Sequence, residues 1–204
     1  MIGNFIADHI QGNKFGHFHQ EIQQGILLHR EIDTFTDAHA IVRKSKRRLH
    51  ERYRHYDGVI IDIFFDHFLA KNWSVYSAIP LDIYVQSVYK LLEKNKAILP
   101  EKTLKLLPYL IEYDWLYNYQ YLAGIKTVLE GMNRRTEGKS KMDLAIYDLE
   151  NLYTEFEQDF TAIGGGAKYQ ISQALNLELL YTNFVRGNNT GLGQTFNIGL
   201  RGIF

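Results

Sequence analysis

The sequence predicts an all-α helical bundle that carries a short C-terminal β-hairpin-like tail. Three observations point there. From residue 2 to about 160, apolar residues recur at the three- and four-residue spacing of amphipathic helices. Of the three prolines, Pro80 and Pro100 stand where a first helical turn would begin, a position at which no backbone N–H is needed. Beyond residue 162 the period drops to two. Leu175, Leu177, Leu179 and Tyr181 alternate with other residues, as do Phe196, Ile198, Leu200, Gly202 and Phe204, and the turn-forming stretch "GNNTGLG" lies between the two runs. The chain therefore divides into a helical domain, 1–161, and a β-rich tail, 162–204, that is too small for an independent domain. The glycine run 164–166 is the junction.

The helical elements follow in order. Residues 3–10 form a short amphipathic start that Gly12 ends. A longer helix spans 19–37, and a basic one 38–52. Residues 57–72, "DGVIIDIFFDHFLAKN", are apolar on nearly every face, which predicts a buried helix. Helices at 80–95 and from Pro100 onward follow, the latter kinked or divided by Pro108. Segments 113–132 and 141–160 complete the bundle.

Composition narrows the function. The formal net charge of zero gives no global field toward nucleic acid or membrane. With no cysteine, disulfides, thiolate catalysis and cysteine–zinc sites are excluded, in keeping with a reducing, cytoplasmic setting. The first residues do not read as a signal peptide, and no apolar run approaches the ~20 residues of a spanning helix. Walker and dinucleotide fingerprints are missing, as is a Gly-x-Ser-x-Gly elbow. The charge is uneven, however. Arg43, Lys44, Arg47, Arg48, Arg52 and Arg54 crowd one short region and form a patch suited to an acidic partner, the alternative being a merely solvated helix face.

The candidate chemistry lies in "LLHREIDTFTDAH". His29, Asp33 and Asp37 recur every four residues, so their side chains stack along one face, with His39 just beyond. A second helix repeats the pattern with Asp62 and Asp66, and His67 is adjacent. Aspartate is a poor helix former and costly to bury alone, so two aspartates among Ile60, Ile61, Ile63, Phe64, Phe65 and Phe68 require a cation, an arginine or water. Asp8 on the first helix is a third source. Facing helices that project carboxylates and imidazoles inward build metal sites in bundles. Oxygen and nitrogen donors without sulfur suit Mn²⁺, Mg²⁺ or Fe²⁺, with Zn²⁺ also possible. His29, Asp33, Asp37, Asp62, Asp66 and Asp8 are the candidate metal ligands, and Asp33, Asp66 and His67 the candidate catalytic groups. Hydrolysis of a phosphoester is the matching reaction class. The competing assignment is a buried aspartate paired with Arg30.

Three stretches, "IGNFIADHIQG", "GILLHREIDTFTDAHAIVRKSKRRL" and "RYRHYDGVIIDIFFDHFLAKNW", resemble the acyl carrier protein phosphodiesterase family over residues 2–160. The resemblance implies an all-helical, HD-phosphohydrolase-like fold and a cytoplasmic hydrolase with a divalent metal, usually manganese. It implies hydrolysis of the 4′-phosphopantetheine linkage of holo acyl carrier protein by an activated water, with the serine oxygen as leaving group. Acyl carrier proteins are acidic, so the basic patch becomes the expected docking surface. The family's members begin with a further Asn-Phe-Leu-Ala-His type segment, and a histidine ligand there would be lacking here. The last forty residues instead resemble closing strands of an outer-membrane β-barrel, a piece foreign to the helical domain and joined near Ala162. Two alternatives stand beside this reading: an HD-like phosphohydrolase of a small nucleotide, and a truncated, inactive carrier-binding protein.

Overall fold

A computed structural model describes residues 1–171, with side chains to residue 163. Eleven α-helices in this region run α1 (Ile2–Ile6), α2 (Gln20–Ala38), α3 (Ala40–Tyr53), α4 (Asp57–Lys71), α5 (Trp73–Tyr76), α6 (Leu81–Lys94), α7 (Glu101–Glu112), α8 (Trp115–Asn118), α9 (Leu122–Arg135), α10 (Ala145–Asn151) and α11 (Tyr153–Ile171). Single 3-10 turns intervene, one of them at Ala7–His9. No strand occurs among the described residues. The expected strands at 175–181 and 196–204 lie outside them.

The apolar helix α4 is the centre of the bundle. It buries residues on every face, including Ile60, Ile61, Phe64 and Phe68, and packs against α3, α9 and α11. Phe64 meets Phe156 of α11 edge-on at 5.1 Å, and Phe68 meets Tyr153 at the same distance. Such contacts add to the area-driven stabilisation of burying rings of this size.

Three helix expectations need correction. Residues 113–132 do not form one helix. Asp114 adopts a left-handed conformation (φ 44°), and the Leu116 N–H that follows donates to the buried Tyr89 hydroxyl. That side-chain acceptor takes an amide that a continuous helix would have used itself. Likewise 141–160 is divided at Leu152 (φ −118°, ψ 30°), and the helix that follows runs on through the glycine run to Ile171. Pro108, by contrast, does not divide α7. Pro108 and Leu104 are both exposed, so the missing i+4 bond falls on the solvent side of the helix.

The basic helix α3 is fastened to its neighbours by its own charges. Asp159 of α11 is buried and accepts from Ser45 Oγ at 2.7 Å, from Lys44 Nζ at 3.2 Å and from Arg48. Arg52 and the Tyr53 hydroxyl both reach Asp148 of α10. Burial would push the Asp159 carboxyl up, but the bonds from Arg48, Ser45 and Lys44 outweigh it and hold it below the ordinary value. A lowered folded-state value means stabilisation that is complete above the unfolded value near pH 4 and is lost as the pH falls through the folded one. Asp159→Asn should therefore lower the unfolding free energy by about 2 kcal/mol at pH 7. The deficit should shrink in urea titrations carried out below about pH 4.

Candidate functional site

The site begins with two glycines. A Cβ on Gly3 would lie 2.0 Å from the Ile22 carbonyl oxygen, and one on Gly25 would lie 2.9 Å from the Asn4 nitrogen and 3.0 Å from Gly3 Cα. Real side chains do not fit at such distances, so α1 and α2 cross backbone against backbone. The crossing delivers Asn4 to His29, one helical turn beyond Gly25. His29 Nδ1 donates to Asn4 Oδ1 at 2.8 Å, and both residues are buried.

The 3-10 turn after α1 then brings Asp8 to the opposite edge of the same ring. His29 Nε2 lies 3.0 Å from Asp8 Oδ1 and 3.2 Å from Asp33 Oδ2. Two contacts hold that turn in place. His9 Nδ1 is 2.5 Å from Thr103 Oγ1 at the start of α7. Arg30 donates to the Ile10 carbonyl at 3.2 Å and to that of Gly12 at 2.5 Å, and its guanidinium covers the Phe15 ring. Arg30 thus supports the loop and is not the partner of a buried aspartate in those bonds.

The electrostatics follow from this arrangement. Burial alone would lower the His29 pKa, but hydrogen bonds and charge from Asp33 and Asp8 overcome it and raise it to about 10. At neutral pH the ring is an imidazolium clasped by two carboxylates. One donor atom from each of Asp8, His29 and Asp33 falls within 4.8 Å of the others, close enough to surround a single ion. Asn4 completes the fit. By accepting from Nδ1 it keeps Nε2 turned toward the carboxylates, so that loss of the Nε2 proton would leave a lone pair facing them, the support usual for a metal-binding histidine. A cation there would take the place of the Nε2 proton.

The other sequence-derived candidates lie outside this group. Asp37 is at the surface and pairs with Lys46 at 2.8 Å. His39 caps α3, accepting from the Ile41 N–H at 3.3 Å. Asp62 is half-buried on α4. Asp66 is buried and near enough to the Tyr119 hydroxyl for its charge to help raise that phenol, after burial itself. His67 is buried in the core, where Nδ1 donates to the Tyr119 carbonyl and Nε2 accepts from the Tyr153 hydroxyl, each at 2.8 Å. Burial lowers the His67 pKa and keeps the ring neutral at pH 7. Of the six basic candidates, Lys44, Arg48 and Arg52 are bound to carboxylates of the chain itself. Arg43, Arg47 and Arg54 are exposed and form no ion pair among the described residues. Sequence reasoning missed Asn4, Gly3 and Gly25. The spacing of Gly25 from His29, the same four residues as His29 to Asp33, was the available signal.

The acyl carrier protein phosphodiesterase family model matches residues 1–164. The chain belongs to the acyl carrier protein phosphodiesterase family. It is 32% identical over 161 residues to the acyl carrier protein phosphodiesterase of Photorhabdus laumondii, covering 78% of this chain and 81% of that one. Similarity to the proteins of the same name from Pectobacterium atrosepticum (30%, 77% and 82%) and Salmonella agona (30%, 78% and 83%) is comparable. No solved structure matches. As a member of the acyl carrier protein phosphodiesterase family, the chain is a hydrolase acting on a phosphodiester bond. No helix among the described residues is long and apolar enough to cross a membrane.

The clasp predicts a pH signature in the metal-free protein. A raised folded-state value means stabilisation that is fully present below the unfolded value near 6.5 and is lost as the pH rises through about 10. Histidine NMR should show His29 titrating near 10. In Gly25→Ala, where a methyl group must push α1 off α2, the same resonance should move back toward 6.5.

Proposed function

We propose that the protein is a metal-dependent phosphodiesterase that hydrolyses the 4′-phosphopantetheine linkage of holo acyl carrier protein to give the apo form. The observation that carries the reading is the convergence of Asp8, from the turn after α1, with His29 and Asp33 of α2, Asn4 holding the imidazole. These donors fit a hard or borderline divalent cation, and Mn²⁺ is the one proposed. Such a cation, when bound, lowers the pKa of its water and neutralises charge on a phosphoryl oxygen. The residues of the chain do the rest. Asp8 and Asp33 set the negative charge of the cradle and His29 presents Nε2, while Asn4 keeps the ring from turning. The partial exposure of Asp8 and Asp33 leaves the cradle open to an incoming phosphodiester.

The free cationic stripe of α3 supports a protein substrate. Arg43 and Arg47 are one turn apart, and Arg54 follows just past the helix end. With the inner arginines already paired to Asp159 and Asp148, these three are left to meet an acidic carrier protein. The setting proposed is the cytoplasm, where such a carrier would be encountered.

Mass spectrometry of holo acyl carrier protein incubated with the protein and Mn²⁺ tests both parts. The wild type should remove the phosphopantetheine mass, and Asp33→Ala should be slower by more than ~100-fold. Arg43→Glu combined with Arg47→Glu should raise KM roughly tenfold and leave kcat unchanged, as expected for charges that steer association. Retention of the phosphopantetheine by the carrier in the presence of folded wild type would overturn the reading. Asp66→Ala, assayed alongside, should be slowed if the α4 carboxylate also serves the reaction.

A further inference from the structure

A cleft of about 560 Å³ opens between α7, α8 and α9, a volume in the range of small-molecule sites. It lies along a helix whose first turn touches the candidate site. There Thr103 is buried, and its Oγ1 is 2.5 Å from Nδ1 of His9, the neighbour of Asp8. The charge of Lys102 acts on the same ring. From Lys102, Leu106, Tyr109 and Tyr113 follow at steps of four, three and four residues, so they form one row along α7 and just past its end. The last three of the row line the cleft. One face of α7 therefore leads from the Asp8 turn to the cleft.

The lining suits a slender chain that alternates amides with short aliphatic links. Leu106, Val128 and Met132 supply aliphatic surface. Tyr109 and Tyr113, each 54% exposed, and Trp115 add aromatic faces. Large rings left half in water cost free energy that a bound apolar body would recover. The two phenol hydroxyls can donate or accept, and the indole N–H donates, so amide carbonyls and amide N–H groups both find partners. The guanidinium of Arg134, exposed at one end, adds further N–H donors for carbonyls. Aromatic rings are also favourable neighbours of a sulfur atom.

We propose that this cleft holds the pantetheine arm of the substrate, laid along α7 from the Asp8 turn, with its thiol end among Tyr109, Tyr113 and Trp115. The identity of the arm rests on the phosphodiesterase reading. Its length agrees with the path. An extended chain from the phosphorus to the sulfur spans about 16 Å at the spacing of an amide backbone. The rise of α7 from Lys102 to Tyr109 is about 10 Å, which leaves about 6 Å to cross from the cradle to the helix. Contacts to an arm remote from the reacting bond supply binding energy that holds the diester in position over the cradle.

Trp115 provides the probe. The other tryptophan, Trp73, is buried and donates to the Ile79 carbonyl at 2.7 Å. Titration of the full chain with pantetheine should change the tryptophan emission saturably, and Trp115→Phe should remove the change. Gly131→Leu, which fills the cleft from α9, should abolish the response. Gly131→Ala should retain it, because a Cβ there meets nothing closer than Arg134 Nη2 at 3.7 Å, and both substitutions favour the helix. Gly131→Leu should also lower kcat/KM for holo acyl carrier protein by roughly tenfold or more, with Gly131→Ala close to wild type. No saturable response by about 10 mM pantetheine would overturn the assignment. So would an unaltered response or an unaltered kcat/KM in Gly131→Leu, or tighter binding of octanoate or AMP than of pantetheine. Wild type that binds pantetheine at Trp115 yet leaves the carrier intact would support the cleft and overturn the phosphodiesterase reading, so the two failures are distinguishable.

Discussion

The contact on which the candidate site depends is the crossing of α1 and α2 at Gly3 and Gly25. No side chain separates the two backbones there, so the helices approach more closely than ordinary residues permit. That closeness sets the reach of everything beyond it. Asn4 is adjacent to Gly3, His29 is one turn beyond Gly25, and Asp8 follows α1 by a single tight turn. A crossing wider by the thickness of a methyl group would take Asn4 out of hydrogen-bonding range and leave the imidazole free to turn. Precision at the site therefore comes from the absence of atoms at two positions rather than from any strong bond.

The charges of the site balance within the chain itself. Two carboxylates held near one another repel, and burial increases the cost. Here the protonated His29 stands between them and supplies the positive charge. The clasp is consequently a competitor for any cation: the ion must displace a proton held with a raised pKa. In the proposed metal-bound form a divalent cation would stand where that proton does, again setting positive charge between Asp8 and Asp33.

How much of this was legible in the sequence depended on whether the determinant was local. The four-residue repeat of His29 and Asp33 is a property of one helix, and it pointed to the face that meets Asp8. The same repeat also included Asp37, yet one further turn carries that side chain to the surface and to Lys46. Helical spacing says which residues share a face but not where along the face the partner helix ends. Asp66 and His67 were conspicuous because they are polar in an apolar helix, and both are indeed buried. The burial of His67 is explained by Tyr119 and Tyr153, which are more than fifty residues away in sequence. Asn4 gave no signal, since its role exists only once α1 lies across α2. The breaks at Asp114 and Leu152 were likewise hidden, because the tertiary bond from Leu116 to Tyr89 competes with helical periodicity that continues across the first of them.

In the proposed docking role, the basic helix α3 would join stability to recognition through the same residue type. Its charges were one cluster in the sequence, and the fold sorts them into two sets. Lys44, Arg48 and Arg52 reach Asp159 and Asp148 of α11 and α10, and the pair of Arg48 with the buried Asp159 is the one that burial strengthens. Arg43, Arg47 and Arg54 face water, where Coulomb attraction is weak at contact but still biases the approach of a charged partner. The buried face of α3, Val42, Leu49 and Tyr53 together with the Arg48–Asp159 pair, holds the helix against its neighbours. In the proposed docking role the outer arginines would therefore be carried on a helix already ordered before any partner arrives, which lowers the entropy cost of an encounter.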